Sequence, residues 1–261
     1  AMTSTATRQL RFGPGSVTLD AASGAPLQFH DPDAPQRRFL LDGAVPWHTG
    51  HHRWGGGHLV TDRGGARWHT PARLERDPGG TTAAFAPLPG VTLTVERRVK
   101  GAAFLERYTL THVGISPLRV DGWGVQTPFH DAYTDAETSL SSAVHAHLFT
   151  GGTWAWALAE PMSGRGRRLG LIVRTGALHS YSVESRNLNT QSNARGHLVL
   201  QVTDRARNAD AFDGQPSLTL APGESSVLEW ELAWYDDRDA FLAATGAPAS
   251  FSDVRAPLTG A

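Results

Sequence analysis

Apolar and polar positions alternate along most of this chain. In residues 91–99, VTLTVERRV, Val91, Leu93 and Val95 fall on one side of an extended backbone and Thr92, Thr94 and Glu96 on the other. FLERYTLTHV, residues 104–113, sets Phe104, Tyr108 and Leu110 against Leu105, Arg107 and Thr109. HLVLQV groups Leu198, Leu200 and Val202, and VLEWELAWY groups Leu228, Trp230, Leu232 and Trp234 against Glu229 and Glu231. Successive side chains point to opposite faces of a strand, so period two predicts strands with one buried face. Many short strands broken by Gly and Pro predict an all-β sandwich or barrel. LTLAPGESSVLEW reads as two strands joined at APGE, with Pro222 and Gly223 suited to the second and third turn positions. DPDAP and PLPG are similar breaks, and GRGRR at 164–168 reads as a solvated hairpin tip. One helix is predicted in DDRDAFLAATG, residues 236–246, capped by Asp236 or Asp237 and stopped at Gly246. Residues 1–247 read as one domain, and 248–261, without strand period, as an extended tail or linker.

Composition narrows the function classes. The 24 basic and 25 acidic residues nearly cancel, so no general polyanion binder, and no nucleic-acid partner, is expected. No apolar run reaches the roughly 20 residues of a membrane helix. The absence of cysteine removes disulfides, thiol catalysis and cysteine zinc sites. The start AMTSTATRQL has no apolar leader core. With Met2 as the native start, a cytoplasmic protein is expected. GxSxG, P-loop, GxGxxG and HExxH motifs are missing, and no cofactor is expected.

VTLDAASGAPLQFHDPDAP is similar to the first hairpin of galactose-mutarotase-like domains. VHAHLFTGGTWAWALAEPMSGRGRRLGLIVRTGALHSYSVESRN, with SNARGHLVLQV, LTLAPGESSVLEWELAWYDD and DAFLAA, resembles the β-supersandwich domain that precedes an (α/α)6 toroid in bacterial glycoside hydrolases and polysaccharide lyases. The resemblance runs from about Val17 to Ala256. It implies two large antiparallel sheets and a short C-terminal helix. It also implies a module of a carbohydrate-active enzyme system that binds or positions a glycan. Its implied partner is an (α/α)6 catalytic domain, C-terminal or separate, since the chain stops where a toroid would start. Two alternatives stand beside this reading: a stand-alone aldose-epimerase-like or glycan-cleaving enzyme, and a structural or oligomerisation domain.

Three stretches carry candidate chemistry. HTGHHRWGGGHLVTDRGGARWH, residues 48–69, holds five of twelve histidines, His48, His51, His52, His58 and His69. A metal needs three or four converging ligands, and no metal is expected here. A sugar-binding loop is favoured, with Trp54 and Trp68 offering rings and His51, His52, Arg53 and His69 offering polar groups. A hairpin with its tryptophans in the core fits the same residues. In VHAHLF, alternation puts His145, His147 and Phe149 on one face and Val144, Ala146 and Leu148 on the core face. The resemblance implies a histidine acid and a carboxylate base, which names His145, His147 and Glu184, with Glu106 as another carboxylate and His130 as a neighbour. Structural hydrogen bonding in a strand is the favoured account of the histidine pair, since such a pair alone is weak evidence for catalysis. ESRNLNTQSNARG, residues 184–196, offers Arg186, Asn187, Asn193 and Arg195 to hydroxyls or a uronate carboxylate. A solvated loop is its alternative.

Overall fold

The computed structural model describes residues 7–41, 52–131, 135–184, 197–211 and 214–247. Strands are numbered in chain order, and every pairing between them is antiparallel. The largest sheet runs β11 (Val144–Gly151), β12 (Trp154–Pro161), β13 (Arg168–Thr175), β17 (Ser225–Tyr235), β9 (Ala103–His112), β8 (Val91–Lys100), β7 (Gly80–Leu88), β6 (Arg73–Asp77). A second sheet runs β14 (Ser180–Val183), β15 (Leu198–Thr203), β10 (Leu118–Gln126), β4 (Gly57–Thr61), β5 (Gly64–Trp68), and β16 (Leu218–Leu220) also pairs with β10. A small third sheet holds β1 (Arg8–Phe12), β2 (Gly15–Leu19) and β3 (Pro26–His30).

The alternation explains how the sheets face each other. Val91, Leu93 and Val95 of β8, Phe104, Tyr108 and Leu110 of β9, and Leu228, Trp230 and Leu232 of β17 are all buried. They join one apolar cluster with Leu59, Trp68, Trp123, Val125 and Leu200 of the second sheet. Withdrawing each such side chain from water contributes about 1.5–3 kcal/mol. Glu106 and Arg97 also fall on inward positions, and both are buried there. Their strands pair them in register.

The APGE turn leads from β16, which pairs with β10, to β17, which pairs with β9. It therefore carries the chain from one sheet to the other. The basic tip at 164–168 joins β12 to β13 but is not simply solvated. Arg167 reaches Asp31 and Asp33 at 2.8 and 2.6 Å, and Arg168 reaches Glu160 at 2.9 Å. The predicted helix is α2 (Arg238–Ala244), with the Asp237 carboxylate accepting from the Ala240 N–H at 2.7 Å. Its Phe241 is fully buried against Trp156 and Tyr235. The pattern did not announce a second helix, α1 (Ala136–Ser142), capped by Asp135. No helix among the described residues is long and apolar enough to cross a membrane. The tail expected over 248–261 lies outside the described residues.

Candidate functional site

The second sheet has one apolar face and one polar face. Pairing of β4, β5 and β10 places His58 opposite both Arg67 and Gly124. Gly124 pairs with Gln201 on β15, and Ser180 of β14 pairs with Gln201. Period two therefore gathers His58, Arg67, Gln126, Gln201 and Ser182 on the side away from the core. Gly124 makes room for this row. A Cβ there would lie 2.5 Å from the Gln201 Oε1 and 2.6 Å from the His58 ring.

A cleft of about 920 Å3 opens over this face. His52, His58, Arg67, Glu184, His197 and Arg207 line it, with Gln126 and the Trp68 edge. His52 and His197 stack with ring centroids 4.4 Å apart. Burial, and then the Arg207 charge, hold the His58 imidazole below its ordinary range, so it is neutral near neutral pH. Burial alone would raise Glu184. Hydrogen bonds from Ser182 at 2.9 Å and Arg207 at 3.1 Å outweigh it and lower the carboxyl, which stays ionised. Arg67 is exposed at the edge of the cleft, and its side chain has no hydrogen bond or ion pair among the described residues. The arrangement combines a neutral imidazole, an ionised carboxylate and a cation free for a ligand.

The sequence-derived candidates separate in space. His52, Trp68, His69 and Glu184 line the cleft. Trp54 does not. It is 2% exposed, packs against Phe29 and Phe129, and donates its indole N–H to Glu106 at 2.6 Å. Its ring is core, as expected for an amphipathic side chain whose polar atom finds a buried partner. Arg53 lines a neighbouring cavity, and its backbone N–H donates to Gln126. His130 is buried elsewhere, and burial beside Arg38 pushes it down to about 4. His145 and His147 share a face of β11, their rings 6.2 Å apart, opposite the core-packed Val144, Ala146 and Leu148. They are not among the cleft-lining residues. The carboxylate beside them is Glu160, 3.4 Å from His147, rather than Glu184. Glu106 is sealed inside the sandwich. His48, His51, Arg186, Asn187, Asn193 and Arg195 lie outside the described residues, although Glu184 and His197, which bracket the last four, both line the cleft. Among the described residues no group of three or more His, Asp or Glu could hold a metal.

Sequence reasoning missed His58, Arg67, Gln126, His197 and Arg207 as a set. His58 and Arg67 carried a usable signal. They alternate with apolar Leu59 and Trp68 on strands flanked by glycines, which marks polar positions on an exposed sheet face. The pairing of β4 with β10, and of β10 with β15, had no local signal.

No protein-family model matches the chain, and no curated protein matches it. Solved structures do. A polysaccharide lyase superposes with a TM-score of 0.76 and 25% identity over 90% of this chain and 34% of its own. This chain thus spans about a third of that lyase. A galactose mutarotase-like protein from Lactobacillus casei gives 0.51 at 8% identity, covering 88% of this chain and all of its own. The GH36 α-galactosidase AgaA from Geobacillus stearothermophilus, in complex with raffinose, gives 0.50 at 11% identity, covering 92% and 42%. The chain therefore has the fold of a galactose-mutarotase-like β-sandwich domain and is similar to one part of a polysaccharide lyase.

Proposed function

We propose that this domain binds a carbohydrate in the cleft over the second sheet, and that Arg67 reads an acidic sugar there. The observation that carries the reading is the unpaired Arg67 beside His58 and the Glu184–Arg207 pair, on one polar sheet face. Sugar hydroxyls need both donors and acceptors, which His58, Gln126 and Glu184 offer. A uronate carboxylate fits the planar fork of an arginine. The similarity to a polysaccharide lyase and to a raffinose-bound α-galactosidase supports a carbohydrate as the ligand class.

The test is calorimetric titration with an oligogalacturonate and a neutral oligogalactoside of equal length. The acidic chain binds more tightly. Arg67→Ala weakens it roughly tenfold and leaves the neutral chain unchanged. Failure of both sugars to bind at millimolar concentration, or indifference to Arg67→Ala, overturns the reading.

A second reading, proton abstraction from a sugar by a carboxylate base, is favoured by the ionised Glu184 and the neutral hydrogen-bond donor His58 sharing one cleft. Under it, Glu184 takes a proton, the neutral His58 hydrogen-bonds through its ring N–H to the oxygen on which charge develops, and Glu184→Gln removes turnover while binding survives. Loss of binding and turnover together would assign Glu184 to sugar recognition alone.

A further inference from the structure

The large sheet carries a second feature on its face away from the core, across the sandwich from the cleft. On β11, Val144, Ala146 and Leu148 pack inward, so His145, His147 and Phe149 point outward. On β12, Ala155, Ala157 and Ala159 join the core, so Trp154 and Trp156 point outward beside them. Pairing sets Phe149 opposite Trp156 and Gly151 opposite Trp154. Phe149 is 43% exposed, and the two tryptophans are half-buried. The Phe149 ring centroid lies 4.7 Å from that of Trp154 and 6.4 Å from that of Trp156, with the Trp156 plane only 22° away. Gly151 explains where the ring lies. A Cβ there would sit 2.2 Å from a Phe149 ring carbon. The ring therefore lies down along its own strand over the glycine, with one face against protein and the other toward solvent. Phe241 of α2 props Trp156 from the side, ring centroids 5.4 Å apart.

Charge and area choose the occupant. The carboxylates that point outward from β12 and β17 are neutralised by arginines of the same face: Glu160 by Arg168 and Arg238, Glu229 by Arg107, and Glu231 by Arg174. The His147 side chain is 45% exposed. Burial, and then the Arg238 charge, hold it below its ordinary range, so near neutral pH it is uncharged and can exchange hydrogen bonds with hydroxyls. The face thus complements a neutral ligand. An aromatic side chain buries about 150–250 Å2 in full, so these three rings leave on the order of 200 Å2 open. A stable protein interface takes about 800 Å2 from each partner. Area therefore argues against a second copy or another protein and for one or two sugar units, whose C–H faces lie flat on aromatic rings while their hydroxyls reach the rim. We propose that Phe149, Trp154 and Trp156 form a glycan-binding platform that takes neutral sugar units by stacking, with His147 at its polar rim. The platform is separate from the cleft and does not depend on the acidic ligand proposed there.

The experiment is calorimetric titration of the full chain with neutral hexasaccharides of β-1,4-galactose, β-1,4-glucose and α-1,4-glucose, and with an oligogalacturonate of equal length. Phe149→Tyr keeps the flat ring. Phe149→Leu keeps apolar bulk and loses the flat face. Trp154→Ala removes the neighbouring ring and serves if Phe149→Leu does not fold, each fold being checked by circular dichroism. At least one neutral chain is expected to bind, with Phe149→Leu and Trp154→Ala each weaker by roughly tenfold and Phe149→Tyr close to wild type. The affinity for oligogalacturonate is expected to stay unchanged in all three variants. Binding of the acidic chain alone upholds the cleft and overturns the platform. The platform is also overturned if no sugar binds the folded wild-type chain, if the folded Phe149→Leu or Trp154→Ala protein matches wild type, or if the wild-type chain sediments as a dimer that Phe149→Leu dissociates.

Discussion

His130 shows how one buried side chain ties stability to pH. Its imidazole is pushed from the ordinary 6.5 down to about 4, first by burial and then by the Arg38 charge, and its Nδ1 has no hydrogen-bond partner among the described residues. Between those two values the unfolded chain holds a proton that the native chain does not. Stability is therefore complete above about 6.5 and declines as pH falls toward 4. The limiting contribution is about 3 kcal/mol. Urea unfolding from pH 7 to 4 should show this slope, and His130→Asn should flatten it. An unchanged slope in the variant would mean that other groups carry the acid sensitivity. The same residue marks a limit of sequence reading. Histidine in QTPFH is as fit for a cleft as for a core, and only its surroundings decide.

Across the element pair β8 and β9, the Arg97–Glu106 bridge sits under Trp54 and Trp230. A buried pair stabilises little on balance, since desolvation opposes attraction, but removing one partner leaves an uncompensated charge. Glu106→Gln is expected to lower stability by about 3–5 kcal/mol, read from the urea midpoint. Replacing both, Arg97→Met with Glu106→Leu, should recover part of that loss. If the double variant is no better than the single one, the charge account fails. Sequence alone offers Glu106 as a candidate carboxylate base and does not foresee this bridge, although the inward period carries a signal for it. Arg97 follows Val91, Leu93 and Val95 on the inward period, and Glu106 lies between Phe104 and Tyr108. Two charges on inward positions need one another, yet the period does not say which strands pair. The APGE turn makes the same point. Its Pro-Gly geometry was readable, while its passage between two sheets was not, because a turn's dihedrals do not name the next strand's partner.

At the scale of the whole molecule, the sandwich acts as a rigid floor for the cleft. Its polar side chains come from β4, β5 and β10 and from the chain that flanks β14 and β15, which the core holds in place. Ligand that binds only the native state must raise its melting temperature. At about one hundred times the dissociation constant the gain is about 2.7 kcal/mol, or roughly 5–10 °C for a domain of this size. A melting scan with saturating oligogalacturonate checks this, and a shift that survives Arg67→Ala undiminished would place the sugar elsewhere.

Alternation along the chain determined by itself that the protein is all-β and which residues of its regular strands face the core, and capping residues marked where α2 lies. Those properties are local: the pleat sets the side-chain period, and the caps act within a few residues. Tertiary structure alone decided which histidines meet. It brought His197 to His52 and His58 from a distant stretch, sent His145 and His147 to Glu160, and turned Trp54 inward onto Glu106. Those outcomes depend on which strands neighbour one another in the sheets. Strand pairing is made by backbone hydrogen bonds common to every residue, so the side chains leave little trace of it in the sequence.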